Sequence, residues 1–116
     1  MEDLIDKLRT FSKERDWDQF HSPKNLIMAL SSEVGELSDI FQWMSEEQSK
    51  LNNIDPKSYE LAKEELADIF LYLLRLSDKL GIDLKEESEK KLKLNGEKYP
   101  VNLSKGISVK YNRRDE

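Results

Sequence analysis

Two short acidic stretches, Ser32-Glu33-Val34-Gly35-Glu36 and Glu64-Glu65-Leu66-Ala67-Asp68, are set inside runs that otherwise read as hydrophobic core. Around the first, Leu26, Leu30, Leu37, Ile40 and Met44 recur at the spacing of one buried helix stripe, and Glu33 falls on that stripe. Around the second, residues 66 to 74 are apolar on almost every side except at Asp68, and Glu65 lies three residues earlier on the same helix face. Carboxylates placed together in a core repel one another and are costly to desolvate, so something positive must sit among them. Neither motif contains a Lys, Arg or His; Lys63 projects from another face and Arg75 lies two turns beyond Asp68. Ligation by Glu33, Glu36, Glu65 and Asp68 would be all-oxygen, which selects a hard cation, Mg²⁺ first and Mn²⁺ second. The competing reading is a pair of solvated acidic helix faces, and the apolar residues flanking both motifs argue against it.

These groups need helices to hold them. Leu4, Leu8 and Phe11 predict an amphipathic helix over residues 3 to about 15. Asp16 to His21 lacks helical periodicity and carries Trp17, Phe20 and the single histidine, a composition suited to plugging a bundle end or walling a pocket. Ser22-Pro23 signals a second helix, to about Trp43 or Ser45, in which Glu36 and Trp43 share a flank. Residues 46–54 read as a polar, mobile loop. Asp55-Pro56 opens a third helix, to Leu80, with Gly81 as its left-handed stop. In it Leu66, Ile69, Leu73, Leu76 and Leu80 form the expected core row, and Leu61, Glu65, Asp68 and Tyr72 a neighbouring one that puts Tyr72 one turn above Asp68. Asp83-Leu84-Lys85-Glu86 reads as a capping box for a fourth helix closing at Asn95-Gly96. The expectation is an all-α, four-helix bundle-type protomer over residues 1–100 with an irregular or subunit-wrapping tail over 101–116. The third helix is apolar on more than one stripe, which predicts a homo-oligomer.

The chain has 116 residues and no cysteine, which fits one domain in a reducing compartment and excludes disulfides and thiolate sites. No basic patch followed by an apolar segment opens the chain, and no apolar run approaches the ~20 residues of a membrane span, so a cytoplasmic protein with no membrane partner is expected. Nineteen basic against 24 acidic residues give a net charge of −5, which argues against a nucleic-acid partner. Positive charge gathers late, at Lys90, Lys91, Lys93, Lys98, Lys105, Lys110, Arg113 and Arg114.

An ordered set of motifs carries a family resemblance. Glu-Arg-Asp-Trp-Asp-Gln-Phe-His (14–21), Pro-x-Asn-Leu (23–26), Glu-Val-Gly-Glu-Leu (33–37), Phe-Gln-Trp (41–43), Glu-Glu-Leu-Ala-Asp (64–68) and Lys-x-x-x-Asn-x-x-Lys-Tyr-Pro (91–100) resemble the MazG-like all-α nucleotide pyrophosphohydrolases, in particular their dCTP pyrophosphatase-like branch. The resemblance implies an oligomer, often a tetramer, that cleaves a nucleoside triphosphate to the monophosphate and pyrophosphate, with deoxycytidine nucleotides leading as substrate and modified or other pyrimidines behind. It implies Mg²⁺ on Glu33, Glu36, Glu65 and Asp68. Trp17, Asp18, Gln19, Phe20, His21, Trp43 and Tyr72 would line the nucleoside pocket, and Lys91, Asn95, Lys98 and Tyr99 the phosphate end. Phosphoryl chemistry of this kind needs charge neutralisation and alignment, which carboxylate-held metal supplies, and Glu33 is the expected base for the attacking water. Three positions depart from the pattern: Ser32 stands for the first acid, Leu8 for a histidine near the substrate, and Lys98 for an arginine, which keeps charge and loses the bidentate fork.

Two other functions compete. One is a catalytically silent helical interaction module whose carboxylates pair with lysines across an interface. The other is a di-iron carboxylate bundle, which wants Glu-x-x-His pairs, and His21 lies outside both acidic motifs.

Overall fold

The computed structural model describes residues 1–113, and these are all-α: helices α1 (Glu2–Glu14), α2 (Pro23–Phe41), α3 (Glu46–Ser49), α4 (Pro56–Lys79), α5 (Leu84–Lys98) and α6 (Val101–Ser104), with single 3-10 turns at Asp18–Phe20 and Tyr111–Arg113. The chain divides into two compact units, Met1–Ile82 and a second beginning at Asp83. The division expected at residue 100 falls within the second unit, between α5 and α6. Arg114, from the late basic cluster, lies outside the described residues.

In the first unit α2 and α1 both pack against α4. Both long helices start as their sequences dictate. The Ser22 hydroxyl accepts from the Asn25 amide at 3.2 Å and the Asp55 carboxylate accepts from the Ser58 amide at 2.9 Å, with Pro23 and Pro56 at the first helical positions. From these starts Leu26 becomes fully buried, and Ala29, Leu30, Glu33, Leu37, Ile40 and Met44 follow as the less exposed row of α2 and its exit turn. The predicted stripe, carboxylate included, is the stripe that packs.

On α4 the buried side is rotated from the expected core row. Ala62, Leu74, Arg75 and Ser77 are buried, whereas Leu66 and Leu80 are 55% and 51% exposed. Gly81 ends the helix at φ 66°, a left-handed conformation that glycine adopts without a Cβ clash. α1 docks through Leu4, Ile5, Leu8 and the buried Ser12, and Phe11 stays half exposed. Arg9 pins it to α4, its Nε donating to Asp78 Oδ2 at 2.8 Å; this guanidinium holds the Asp78 carboxyl below the usual range.

The stretch after α1 is a built turn. Asp16 sits at φ 54°, which a short polar side chain tolerates, and the Trp17 amide donates back to the Ser12 carbonyl at 2.9 Å. The 3-10 turn and the Asn25 side chain, donating to the Phe20 carbonyl at 3.0 Å, then lead into α2. Residues 46–54, expected as loop throughout, contain α3, held by a reciprocal capping box between Ser45 and Gln48.

In the second unit, the Asp83 carboxylate accepts from the Glu86 amide at 3.0 Å and starts α5. Asn95-Gly96 does not stop it: the helix runs on to Lys98, just short of Pro100. The tail, expected to be irregular or subunit-wrapping, contributes α6 and folds Tyr111 against Tyr99, whose hydroxyl accepts from the Tyr111 amide at 3.2 Å. Among the described residues no helix is long and apolar enough to cross a membrane.

Candidate metal centre

Because α2 and α4 pack side by side, the two acidic motifs meet. Glu33, Glu36 and Glu65 each bring a carboxylate oxygen into a group whose members all lie within 4.8 Å of one another. Glu33 and Glu65 are partly buried, and in each the Oε2 atom is shielded from water with no hydrogen-bond partner. Among the described residues no ion pair reaches these three carboxylates or Asp68; Lys63 pairs with Glu60 instead, at 2.9 Å. Glu65 is pushed up to about 7, first by the proton it can share with Glu33, then by burial, then by Glu36. Buried carboxylate oxygens without donors, gathered with no basic neighbour, are what a hard divalent cation satisfies, so the residues present fit Mg²⁺ or Mn²⁺.

Asp68 lies one turn after Glu65, outside that three-residue group. It is more exposed than its apolar sequence neighbourhood implies, since α4 is rotated, and it borders an adjoining cavity of about 270 Å³. The cavity is walled by Leu8, Phe11 and Ser12 of α1, Trp17 and His21 of the connecting turn, Glu33 of α2, and Asp68, Leu71, Tyr72 and Arg75 of α4. Its wall is therefore partly acidic and partly aromatic. Phe11 and Trp17 meet edge to face with centroids 5.7 Å apart, and Trp17 meets His21 likewise at 6.3 Å. The arrangement suits a flat, partly polar molecule attached to something that metal binds.

The remaining sequence-derived candidates divide. Trp17, His21 and Tyr72 line this cavity with Glu33 and Asp68. Asp18 is not part of the lining and accepts from Arg75, which is, with Lys79 Nζ 3.5 Å away. Gln19 turns back to Asp16, donating at 3.0 Å, and Phe20 is 59% exposed. Trp43 is 89% exposed and stands away from the lining, because α2 ends at Phe41 and the shared flank with Glu36 is not continued. Lys91, Asn95, Lys98 and Tyr99 belong to α5 and its end in the second unit, where Lys98 lies over the Tyr111 ring at 5.0 Å.

Arg75 was missed as part of a site. It is 6% exposed, donates from Nε to His21 Nδ1 at 3.2 Å and from Nη2 to Asp18, and lies 3.6 Å from Asp78. The signal was an arginine in the midst of an apolar helix, which has to find acceptors inside. Burial and the Arg75 charge together push the His21 imidazole below its usual value.

Known proteins resemble this chain in sequence and in fold. The chain is 40% identical to mouse dCTP pyrophosphatase 1 and 37% identical to the human protein of that name, in each case over 96% of this chain. It spans about 65% of the length of either relative. The crystal structure of a pyrophosphatase from Archaeoglobus fulgidus superposes with a TM-score of 0.79 at 39% identity, covering 86% of this chain and 92% of that one. The model of the MazG-like family matches residues 28–113, a stretch that includes the three clustered glutamates. That match covers most of the chain, and this chain belongs to the MazG-like family.

Proposed function

We propose that the chain is a divalent-metal-dependent nucleoside triphosphate pyrophosphohydrolase acting on dCTP or a related pyrimidine deoxynucleotide. The observation that carries this reading is the convergence of Glu33, Glu36 and Glu65 with two buried, partnerless oxygens beside an aromatic cavity. The activity for which the mouse and human relatives are named supplies the substrate. Glu33, Glu36 and Glu65 would hold Mg²⁺, with Asp68 as the fourth acid. Bound there, the ion neutralises phosphate oxygens and acidifies a water.

The chain's own part is positioning and proton handling. Trp17 and Tyr72 bound the base, and base–aromatic contact of this type contributes about 1–3 kcal/mol. Glu33, at the meeting of the acidic group and the cavity, accepts the proton of the water that adds to phosphorus, as the α–β anhydride bond breaks and its electrons leave with pyrophosphate. Lys91, Asn95, Lys98 and Tyr99 keep the phosphate-binding role that the family resemblance implies. Exposed apolar residues of α2 and α4, among them Met28 at 64%, Leu66 at 55% and Phe70 at 39%, support self-association, with a homotetramer proposed. The cysteine-free composition favours the cytoplasm.

The test is a panel of nucleoside triphosphates with Mg²⁺, read for both monophosphate and pyrophosphate. dCMP and pyrophosphate in equal amounts are expected from dCTP. Absence of pyrophosphate and phosphate from every substrate sinks the reading and leaves the silent helical module.

A further inference from the structure

The side chains around His21 settle more than its position. Arg75 Nε donates to His21 Nδ1 at 3.2 Å, and a guanidinium has hydrogens to give and no lone pair to accept with. Nδ1 must therefore present its lone pair, which leaves the ring's one proton on the opposite nitrogen. Arg75 is itself immobilised: it is 6% exposed, and its other nitrogens face Asp18 and Asp78. With its Nε hydrogen given to His21 and its other nitrogens turned to Asp18 and Asp78, the guanidinium is held from three sides. The imidazole is also braced through its edge-to-face contact with Trp17. Among the described residues no hydrogen bond occupies Nε2, and the ring borders the cavity.

We propose that Arg75 is a positioning residue that fixes His21 with its single proton on Nε2, so that the cavity reads a hydrogen-bond acceptor on the edge of the nucleobase. This rests on the nucleotide-hydrolase reading above and adds to it a polar contact that requires a base with an acceptor at that edge, which aromatic contact alone does not. Cytosine and other pyrimidines carrying a ring carbonyl satisfy the requirement; a nucleotide without a base does not. Burial first, and then the Arg75 charge, lower the pKa of His21, and a second ring proton would have to point at that guanidinium.

The chain has a single histidine, so ¹⁵N imidazole spectra of the intact protein report on His21 without assignment. The expected spectrum has a protonated Nε2 and a proton-free Nδ1, with the Nε2 signal moving when deoxycytidine or dCMP is added. Arg75→Met, which removes the donor and keeps a side chain of similar length, is expected to bring in the other tautomer. Should that variant not fold, His21→Phe and His21→Gln carry the kinetic arm. His21→Phe is expected to raise KM for dCTP about tenfold or more with a smaller effect on kcat, and to lower discrimination between dCTP and an abasic deoxyribose triphosphate by the same factor. His21→Gln, whose amide can donate from nearly the same place, is expected to recover most of that loss. A wild-type spectrum with the proton on Nδ1, or an unchanged KM in His21→Phe, overturns the proposal. If the wild type hydrolyses no triphosphate, the hydrolase reading fails instead, and the spectrum with deoxycytidine still decides the state and contact of the ring.

Discussion

Glu33 of α2 and Glu65 of α4 face one another across the helix pair, their oxygens within 4.8 Å and one oxygen of each buried without a partner. Such a pair is unfavourable in the bare protein and becomes favourable once a cation joins it. Glu33→Gln and Glu65→Gln are each expected to lower pyrophosphate release at saturating Mg²⁺ by about a hundredfold or more, the scale of losing one well-placed electrostatic group. Isothermal titration with Mg²⁺ or Mn²⁺ should show weakened binding in both. Full activity in either variant would move the metal elsewhere.

The same pair gives a pH dependence with a definite sign. Glu65 rises from 4.5 to about 7 on folding, so the metal-free folded chain holds that proton more tightly than the unfolded chain. Its contribution to stability is complete below about 4.5 and is lost as pH rises through about 7. His21 acts oppositely: its lowered pKa costs stability as pH falls below 6.5. The informative quantity is therefore the difference in urea midpoint between wild type and Glu65→Gln, followed against pH without metal. That difference should move against the wild type on going from about pH 5 to about pH 8, and Mg²⁺ should stabilise the wild type more at the higher pH.

Two tryptophans make base binding visible. Trp17 lines the cavity and Trp43 is 89% exposed. Trp43→Phe should retain the emission change on adding dCMP, and Trp17→Phe should lose most of it. An emission change carried by Trp43 alone would relocate the base.

Leu74 is fully buried where α4 meets the rest of its unit. Leu74→Ala should cost about 2–5 kcal/mol in urea denaturation, the range for a buried leucine whose cavity only partly collapses. A cost below about 1 kcal/mol would mean the site closes up or the packing is looser than described.

The helices that carry the acids were legible because their starts are written in local chemistry, Ser22-Pro23 and Asp55-Pro56, and because Glu33 interrupts an otherwise apolar row. Helix ends were harder. Asn95-Gly96 looks like a stop, yet Gly96 stays within α5 and the helix continues to Lys98. Propensity at one residue did not outweigh the turns on either side. The α3 capping box was present in the sequence as Ser45-Glu46-Glu47-Gln48 and was hidden by the polar character of the stretch. Arg75 could not be placed from periodicity, since its partners Asp18 and His21 are more than fifty residues away in sequence. Trp43 followed a helical flank that the backbone abandons at Phe41.

The two proline starts also work as a ruler. Glu33 lies ten positions after Pro23 and Glu65 nine positions after Pro56, so each acid's compass bearing is set by counting from a fixed origin. Adding or deleting a single residue between origin and acid would swing that carboxylate by about 100° and aim it away from its opposite number. Segment length between cap and acid should thus tolerate far less variation than the surrounding side chains do.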